Sequence, residues 1–369
     1  MNSFNACGKG VVRLCGDRRA TRDGCPRASV GLIVAEGLDA LLLLIELDAD
    51  MTRRILVTGA SGFVGGKLME RARDSGAWDV LGVGRRKLAD ASYRSVDLSE
   101  PFDLDFNPDV VVHAAARSSP WGARNEFLRH NVEGTRRVID YCLRRGRPKL
   151  VYISSSSVFY RNEHQFNLTE ESSIGPRFVN TYAETKFLGE ELVRNYPGPW
   201  VILRPRAVFG PGDTVLFPRI LRAAEKGRLP EFVTDGPPAK GDLVYIDTLT
   251  DYILRAAADD GAQGCFNLTN QEPVVIMELL LRVFSALNIP PPKRRLPVKM
   301  AMAMAAAVEG VYRAMPFLGE PPITRFGVGI FAYSKTFDVS KAVAVLGPPS
   351  VSLQDGIARF VEWQRSSLK

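Results

Sequence analysis

The apolar run Ile55-Leu-Val57 leads directly into Thr58-Gly-Ala-Ser-Gly62-Phe-Val-Gly65, and helix-forming residues follow. Three glycines at GxxGxxG spacing between a strand and a helix restrict the fold severely. Such a turn lets backbone approach a ligand closely, leaves N–H groups free, and points the positive end of a helix at them. A tight turn alone would explain a glycine triplet. The strand before it and the helix after it make a dinucleotide pyrophosphate the expected occupant. We therefore assign Gly59, Ser61, Gly62, Phe63, Val64 and Gly65 to a cofactor cradle.

From Arg54 onward the chain alternates strand and helix. Strands are expected at 55–57, 79–83, 93–96, 110–114, 150–154 and 200–204, and helices at 63–75, 126–144 and 182–195. This alternation predicts an α/β fold with a parallel sheet covered on both faces. Beyond Gly210-Pro-Gly-Asp213, turns rich in Gly and Pro separate short elements: a helix at 218–226, a strand at 242–245 and a helix at 248–257. The expected division is an N-terminal extension (1–50), a nucleotide-binding domain (51–210) and a smaller C-terminal substrate lobe (211–369) interleaved with the last sheet elements. The extension carries an apolar stretch at 30–47 broken by Glu36, Asp39 and Glu46, which argues against a membrane span or a clean secretory signal. It reads as a poorly ordered extension or an over-called start ahead of Met51. A short amphipathic or targeting helix is the lesser reading.

With 46% apolar and 24% charged residues the chain is neither disordered nor fibrous. Its formal charge of +7 is dispersed, with no basic block interleaved with aromatics, so no nucleic-acid partner is expected. Cys7, Cys15, Cys25, Cys142 and Cys265, with His113, His130 and His164, have no metal-ligand spacing. No metal is expected, and a reducing, cytoplasmic setting is the simplest.

The second strand bears on the choice of cofactor. An NAD site places Asp or Glu at its end to grip the ribose 2′-OH; here the strand runs into Gly84-Arg85-Arg86-Lys87. Guanidinium groups would accept a 2′-phosphate, so Arg85 and Arg86 favour NADP(H) over NAD(H), unless they simply form a solvated loop. Asp97 and Leu98 follow the third strand, where an acid can reach the adenine amino group. Ala114, Ala115 and Ala116 follow the fourth, where small residues let the chain pass beside the nucleotide; His113 before them reads as a packed residue.

Tyr182-Ala-Glu-Thr-Lys186 places a lysine one helical turn from a tyrosine. A phenol of ordinary pKa about 10 is a poor base near neutrality, and an adjacent ammonium stabilises its phenolate. Tyr182 is then the expected acid or base of an alcohol–ketone conversion, and Lys186 its partner. The run Ser154-Ser-Ser-Ser157 closes the strand at 150–154, 26 residues upstream of Tyr182 when counted from Ser156. Ser156 is the expected hydroxyl on the substrate oxygen, with Ser155 and Ser157 as rivals.

Together, the glycine turn, SSSSVFY at 154–160, YAETK at 182–186 and Leu203-Arg-Pro-Arg-Ala-Val-Phe-Gly-Pro-Gly-Asp213 resemble the extended short-chain dehydrogenase/reductases of the NAD(P)-dependent epimerase/dehydratase superfamily, over about residues 53–365. The resemblance implies a Rossmann-type doubly wound parallel sheet with a smaller substrate lobe. It implies that Asn131, in His130-Asn131-Val-Glu-Gly-Thr135, supports the site, and that Arg204 and Pro205 pass beside the nicotinamide. The loop Ala116-Arg-Ser-Ser-Pro-Trp-Gly122 and the tail from Pro322 to Gly347 are similar to those of 3β-hydroxysteroid dehydrogenase-like proteins and bacterial 3-oxoalkanoate reductases. That branch would put Trp121, Ser157 and Arg206 at the substrate.

The Met/Ala run at 300–308 reads as a buried or lid helix over an apolar substrate, with peripheral membrane contact as the lesser reading. The expectation is an NADP-preferring oxidoreductase acting on an apolar, sterol-like or 3-oxoacyl-like small molecule; pairing through an exposed helix face would allow a homodimer. The alternative is a nucleotide-sugar epimerase, dehydratase or reductase reading a diphosphate with Arg219 and Lys240. A non-catalytic redox sensor is opposed by the intact Tyr182/Lys186 pair.

Overall fold

Runs of Val, Ile and Leu flanked by polar turns build the centre of the molecule. In the computed structural model, which describes residues 52–367, seven strands pair in parallel. They are β1 (Arg53–Thr58), β2 (Trp78–Gly84), β3 (Tyr93–Ser95), β4 (Val110–His113), β5 (Lys149–Ile153), β7 (Trp200–Pro205) and β12 (Gly264–Leu268), in the order β12-β7-β5-β4-β1-β2-β3. Ile55, Val57, Val110 and Val112 pack on one face, and Leu56, Val111, Leu150 and Ile202 on the other. Both faces are covered, which is why these strands read as continuous apolar runs rather than alternating ones. Each such side chain contributes about 1.5–3 kcal/mol of burial. The expected fold class is present.

The order reverses between β1 and β4, which pair with Thr58 opposite His113. A crevice opens at such a point beyond the carboxyl ends of the strands. Helix α1 (Phe63–Asp74) starts there. A helical turn, Arg124–Phe127, continues through a π-helical segment, Leu128–Glu133, into α2 (Gly134–Arg144), where the sequence had predicted one regular helix over 126–144. Helix α3 (Thr181–Arg194) follows β5 and β6 (Gln165–Leu168).

The later chain returns to the large sheet through β12, a strand not anticipated from the sequence. Around it lie β8 (Val208–Phe209), β9 (Glu231–Val233), β10 (Lys240–Gly241), β11 (Val244–Tyr245), β13 (Val274–Val275), β14 (Arg295–Pro297) and β15 (Lys335–Phe337). A second sheet has the order β13-β10-β15-β6, and β11 pairs with β8 and β14 with β9. The helices here include α4 (Phe217–Glu225), α5 (Ile246–Ala258), α6 (Ile276–Ala286), α7 (Val298–Ala314) and α8 (Arg325–Ala332). Ala301 and Ala305 let α7 lie close to Val328 and Ala332 of α8. Among the described residues, no helix is long and apolar enough to cross a membrane. The expected extension at 1–50 lies outside the described residues.

Candidate active site

At the switch point Gly59 has φ +71°, and a Cβ there would lie 2.7 Å from the backbone nitrogen of Ala115. Only glycine lets the two loops approach so closely. The Ala115 N–H donates to Thr58 Oγ1 at 3.2 Å and fixes that approach. Helix α1 starts after Gly62 with no side chain capping its N–H groups, so those donors remain available. They face a cavity of about 1480 Å³. Of the residues assigned to the nucleotide, Gly59, Ser61, Gly62, Phe63, Val64, Gly65, Arg85, Arg86, Asp97, Leu98, Ala114, Ala115, Ala116 and Pro205 line it, and Arg204 does not. A close-approach turn, an uncapped helix end and small residues opposite form a cradle that fits a dinucleotide.

At the end of β2, Arg86 Nη1 donates to the Ser61 carbonyl at 3.1 Å, and Arg85 lies 3.4 Å from His130 Nε2. Gly84 occupies the strand end itself. A Cβ there would meet Tyr93 Oη at 2.8 Å and Ser61 Oγ at 2.9 Å, so an acidic side chain has no room without displacing both.

The reacting groups come from α3. Asn180 Oδ1 accepts from the Ala183 N–H at 2.9 Å and starts the helix, which fixes Tyr182 in its first turn and Lys186 one turn later. Both line the cavity. Tyr182 is half-buried. Burial pushes its phenol up to about 12, while the nearby Ser155 hydroxyl pulls the other way. Ser156, the expected partner, instead pairs its hydroxyl with Tyr160 Oη at 3.0 Å. The chain leaves β5 into a 3₁₀ turn at Ser156–Phe159, which breaks strand alternation and is capped by Ser155. Ser155 Oγ is held by the Ser157 N–H at 3.2 Å.

Lys186 is 1% exposed, and its ammonium lies 4.0 Å above the Tyr152 ring rather than on the Tyr182 oxygen. Burial pulls it down to about 7, against the pull of Glu190. Glu190, one further turn along and missed in the sequence, accepts from Ser154 Oγ at 2.5 Å and from Arg194 at 2.9 Å. It also binds Arg204 through two bonds of 2.9 and 2.7 Å. The Arg204 side chain, placed beside the nicotinamide by resemblance, therefore turns into the protein. The i, i+4 spacing from Lys186 was the available signal for Glu190.

Asn131 is buried beside the cavity rather than in its wall. Its Oδ1 accepts from the Arg117 N–H at 2.7 Å and its Nδ2 donates to Thr185 Oγ1 at 3.0 Å. One side chain thus joins the π-helical segment, the loop after β4 and α3. Thr135 Oγ1 donates to the Asn131 carbonyl at 2.6 Å, so it must accept from His113 Nε2–H at 3.0 Å. His113 Nδ1 then accepts from the Thr58 hydroxyl at 2.7 Å. Burial, with the Lys186 charge, pulls His113 down to about 3 and keeps it neutral.

On the substrate side, Ser157 and Arg206 line the cavity; Trp121 does not, and its ring stacks under Arg313 at 5.5 Å. Ser118, Ser119 and Pro120 of the same loop line the wall instead. Phe232, Leu296, Phe326, Val328, Ile330 and Phe331 make the far wall apolar, while α7 contributes Met304. Arg219 is there, paired with Glu320 at 2.5 Å, whereas Lys240 is not. Exposed Arg222, Lys226, Arg228, Arg294 and Arg295 form a basic rim that was not foreseen, although their clustering at 219–228 and 293–295 was visible.

The model of the NAD dependent epimerase/dehydratase family matches residues 55–268. The 2-alkyl-3-oxoalkanoate reductase of Shewanella oneidensis is 30% identical over 364 residues, covering 91% of this chain and 91% of that protein. An Arabidopsis thaliana 3beta-hydroxysteroid-dehydrogenase/decarboxylase isoform is 33% identical over 301 residues, covering 76% of this chain and 52% of its own. The solved structure of MoeE5 with UDP-glucose and NAD superposes with a TM-score of 0.66 at 25% identity, covering 86% of this chain and all of that one. The family model spans the cradle, the serine turn and the tyrosine helix together, so the chain belongs to the NAD dependent epimerase/dehydratase family as an enzyme of the dehydrogenase/reductase kind.

Proposed function

We propose that the protein is an NADP-preferring oxidoreductase interconverting a secondary alcohol and a ketone on an apolar small molecule. The observation that carries this reading is one continuous cavity. It runs from the glycine cradle past Tyr182 and Ser155 to a wall of Phe232, Leu296, Phe326 and Phe331. The nicotinamide nucleotide, when bound, supplies or takes up the hydride. Ser155 Oγ and Tyr182 Oη hold the substrate oxygen, and Tyr182 gives or takes its proton. With its phenol pushed up to about 12, Tyr182 rests protonated, the form that serves carbonyl reduction. Gly84, Arg85 and Arg86 support NADP(H): a side chain at Gly84 would crowd Tyr93 and Ser61, and two guanidinium groups follow it on the cavity wall.

A turnover screen of ketones of increasing apolar size, run with NADPH and NADH, tests the proposal. We expect kcat/KM to rise with apolar size and to favour NADPH. The double variant Arg85→Ala, Arg86→Ala should weaken NADPH by about 10–100-fold and leave NADH unchanged. A wild-type preference for NADH would contradict the cofactor assignment. The basic rim supports a second reading, a nucleotide-sugar epimerase or dehydratase; protection of the protein by UDP-sugars, with no turnover of simple ketones, would decide for it.

A further inference from the structure

Helix α7 buries one side only. Val298, Ala301, Ala305 and Glu309 face the protein, while Met300, Met304, Val311 and, just past the helix, Met315 are about half exposed. Their spacings of four, seven and four residues place these side chains within about 60° of one another around the helix axis, opposite the buried side. Ala303 and Ala307 are also exposed and extend the stripe. The 3₁₀ turn that follows, Pro316–Leu318, adds Leu318 and Phe317, the latter 83% exposed. Half of the large apolar side chains that the described residues leave exposed thus sit on one helix and its exit. Such a concentration marks an interaction surface. Its charge has one sign. Between Lys293 and Gly319 the only acid is Glu309, which is buried and bound by Arg325 at 2.9 Å. Lys293 and Arg294 lead into the helix, and the Glu231 N–H donates to the Arg294 carbonyl at 2.9 Å, which sets the turn bearing Lys226 and Arg228 alongside. All four cations are exposed, and among the described residues none of them forms an ion pair. Arg295 and Lys299 pair with Glu231 at 3.2 Å and Asp235 at 3.1 Å, exposed contacts that contribute little and that other anions can replace.

An apolar stripe edged by unpaired cations matches the surface of an anionic bilayer, where apolar groups enter the acyl boundary and cations meet lipid phosphates. We propose that α7 and the turn after it dock the protein on an anionic lipid surface, lying in its plane rather than crossing it. A second copy of the chain suits this face less well, because a two-fold contact would bring the same four cations against one another. The docking surface is independent of the reaction assigned above. Met304, Arg228 and Arg294 also line the main cavity, so docking sets that cavity beside the acyl layer.

The test is sedimentation of the full chain with vesicles of phosphatidylcholine, alone or mixed with phosphatidylglycerol. Wild type should partition about tenfold or more strongly onto the mixed vesicles, and high salt should remove most of that difference. Met315→Ser combined with Phe317→Ser should lower the partition about tenfold or more. Its melting temperature and its turnover in solution should stay as in wild type, because neither side chain lies in the core or the cavity wall. In Phe317→Trp the added emission should be quenched by vesicles brominated on their acyl chains. Absence of wild-type partition, equal partition onto both kinds of vesicle, or partition unchanged by the serine pair each overturns the proposal. An unquenched Phe317→Trp variant does so whether or not the serine pair folds. So does a wild-type dimer that the serine pair dissociates and that vesicles leave unchanged.

Discussion

At the scale of single residues, burial acts in opposite directions on the two groups one turn apart on α3. It drives the Tyr182 phenol up to about 12 and the Lys186 ammonium down to about 7. In both cases the neutral form is favoured, because the cavity wall cannot solvate charge as water does. For Lys186 the folded value is depressed from an ordinary 10.5. Between pH 7 and 10.5 the unfolded chain therefore holds a proton that the folded chain has released. The contribution of Lys186 to stability rises with pH across that window, and its full cost is present below pH 7. Replacing Lys186 by Met should accordingly stabilise the protein at pH 6 by about 1–2 kcal/mol while it reduces turnover. Thermal melts at pH 6 and pH 9.5 check this. The gain should shrink at the higher pH, and a variant less stable than wild type at pH 6 would contradict the sign.

At the scale of elements, α3 works because it is tied on several sides. Thr185 takes the Asn131 amide from the π-helical segment, and Glu190 takes Arg204 from β7 and Ser154 from the end of β5. The π-helical turn is what lets Asn131 reach both the Arg117 backbone and α3. Such turns often occur where function needs a side chain re-aimed. Glu190 is fully buried, so changing it to Gln leaves Arg204 as an uncompensated buried charge. We expect a loss of about 3–5 kcal/mol in urea unfolding, with much of it recovered when Arg204→Met is combined with Glu190→Leu. A loss below about 1 kcal/mol would mean that the pair does not anchor the helix.

At the scale of the whole molecule, the large parallel sheet and the cavity wall on its nucleotide side were legible in the sequence, because both follow from local pattern. The run Ile55–Val57 and the glycines after it encode a strand, a turn and a helix within a dozen residues. What escaped depends on contacts distant in sequence. The β12 strand pairs with β7 across about 60 residues, and its short Gly-Cys-Phe-Asn-Leu carries no strong period. Ser155, Ser156 and Ser157 all line the cavity, and the 3₁₀ turn that arranges their hydroxyls leaves no mark in four consecutive serines. Arg204 and Arg206 look alike in the sequence, and only the fold turns one toward Glu190 and the other toward the cavity. The account as a whole depends on the Tyr182 hydroxyl carrying the substrate proton. It is tested most directly by steady-state turnover of Tyr182→Phe beside NADPH binding followed by fluorescence. The account predicts turnover lower by about 10²–10⁴-fold with cofactor affinity unchanged; turnover within a few-fold of wild type would contradict it.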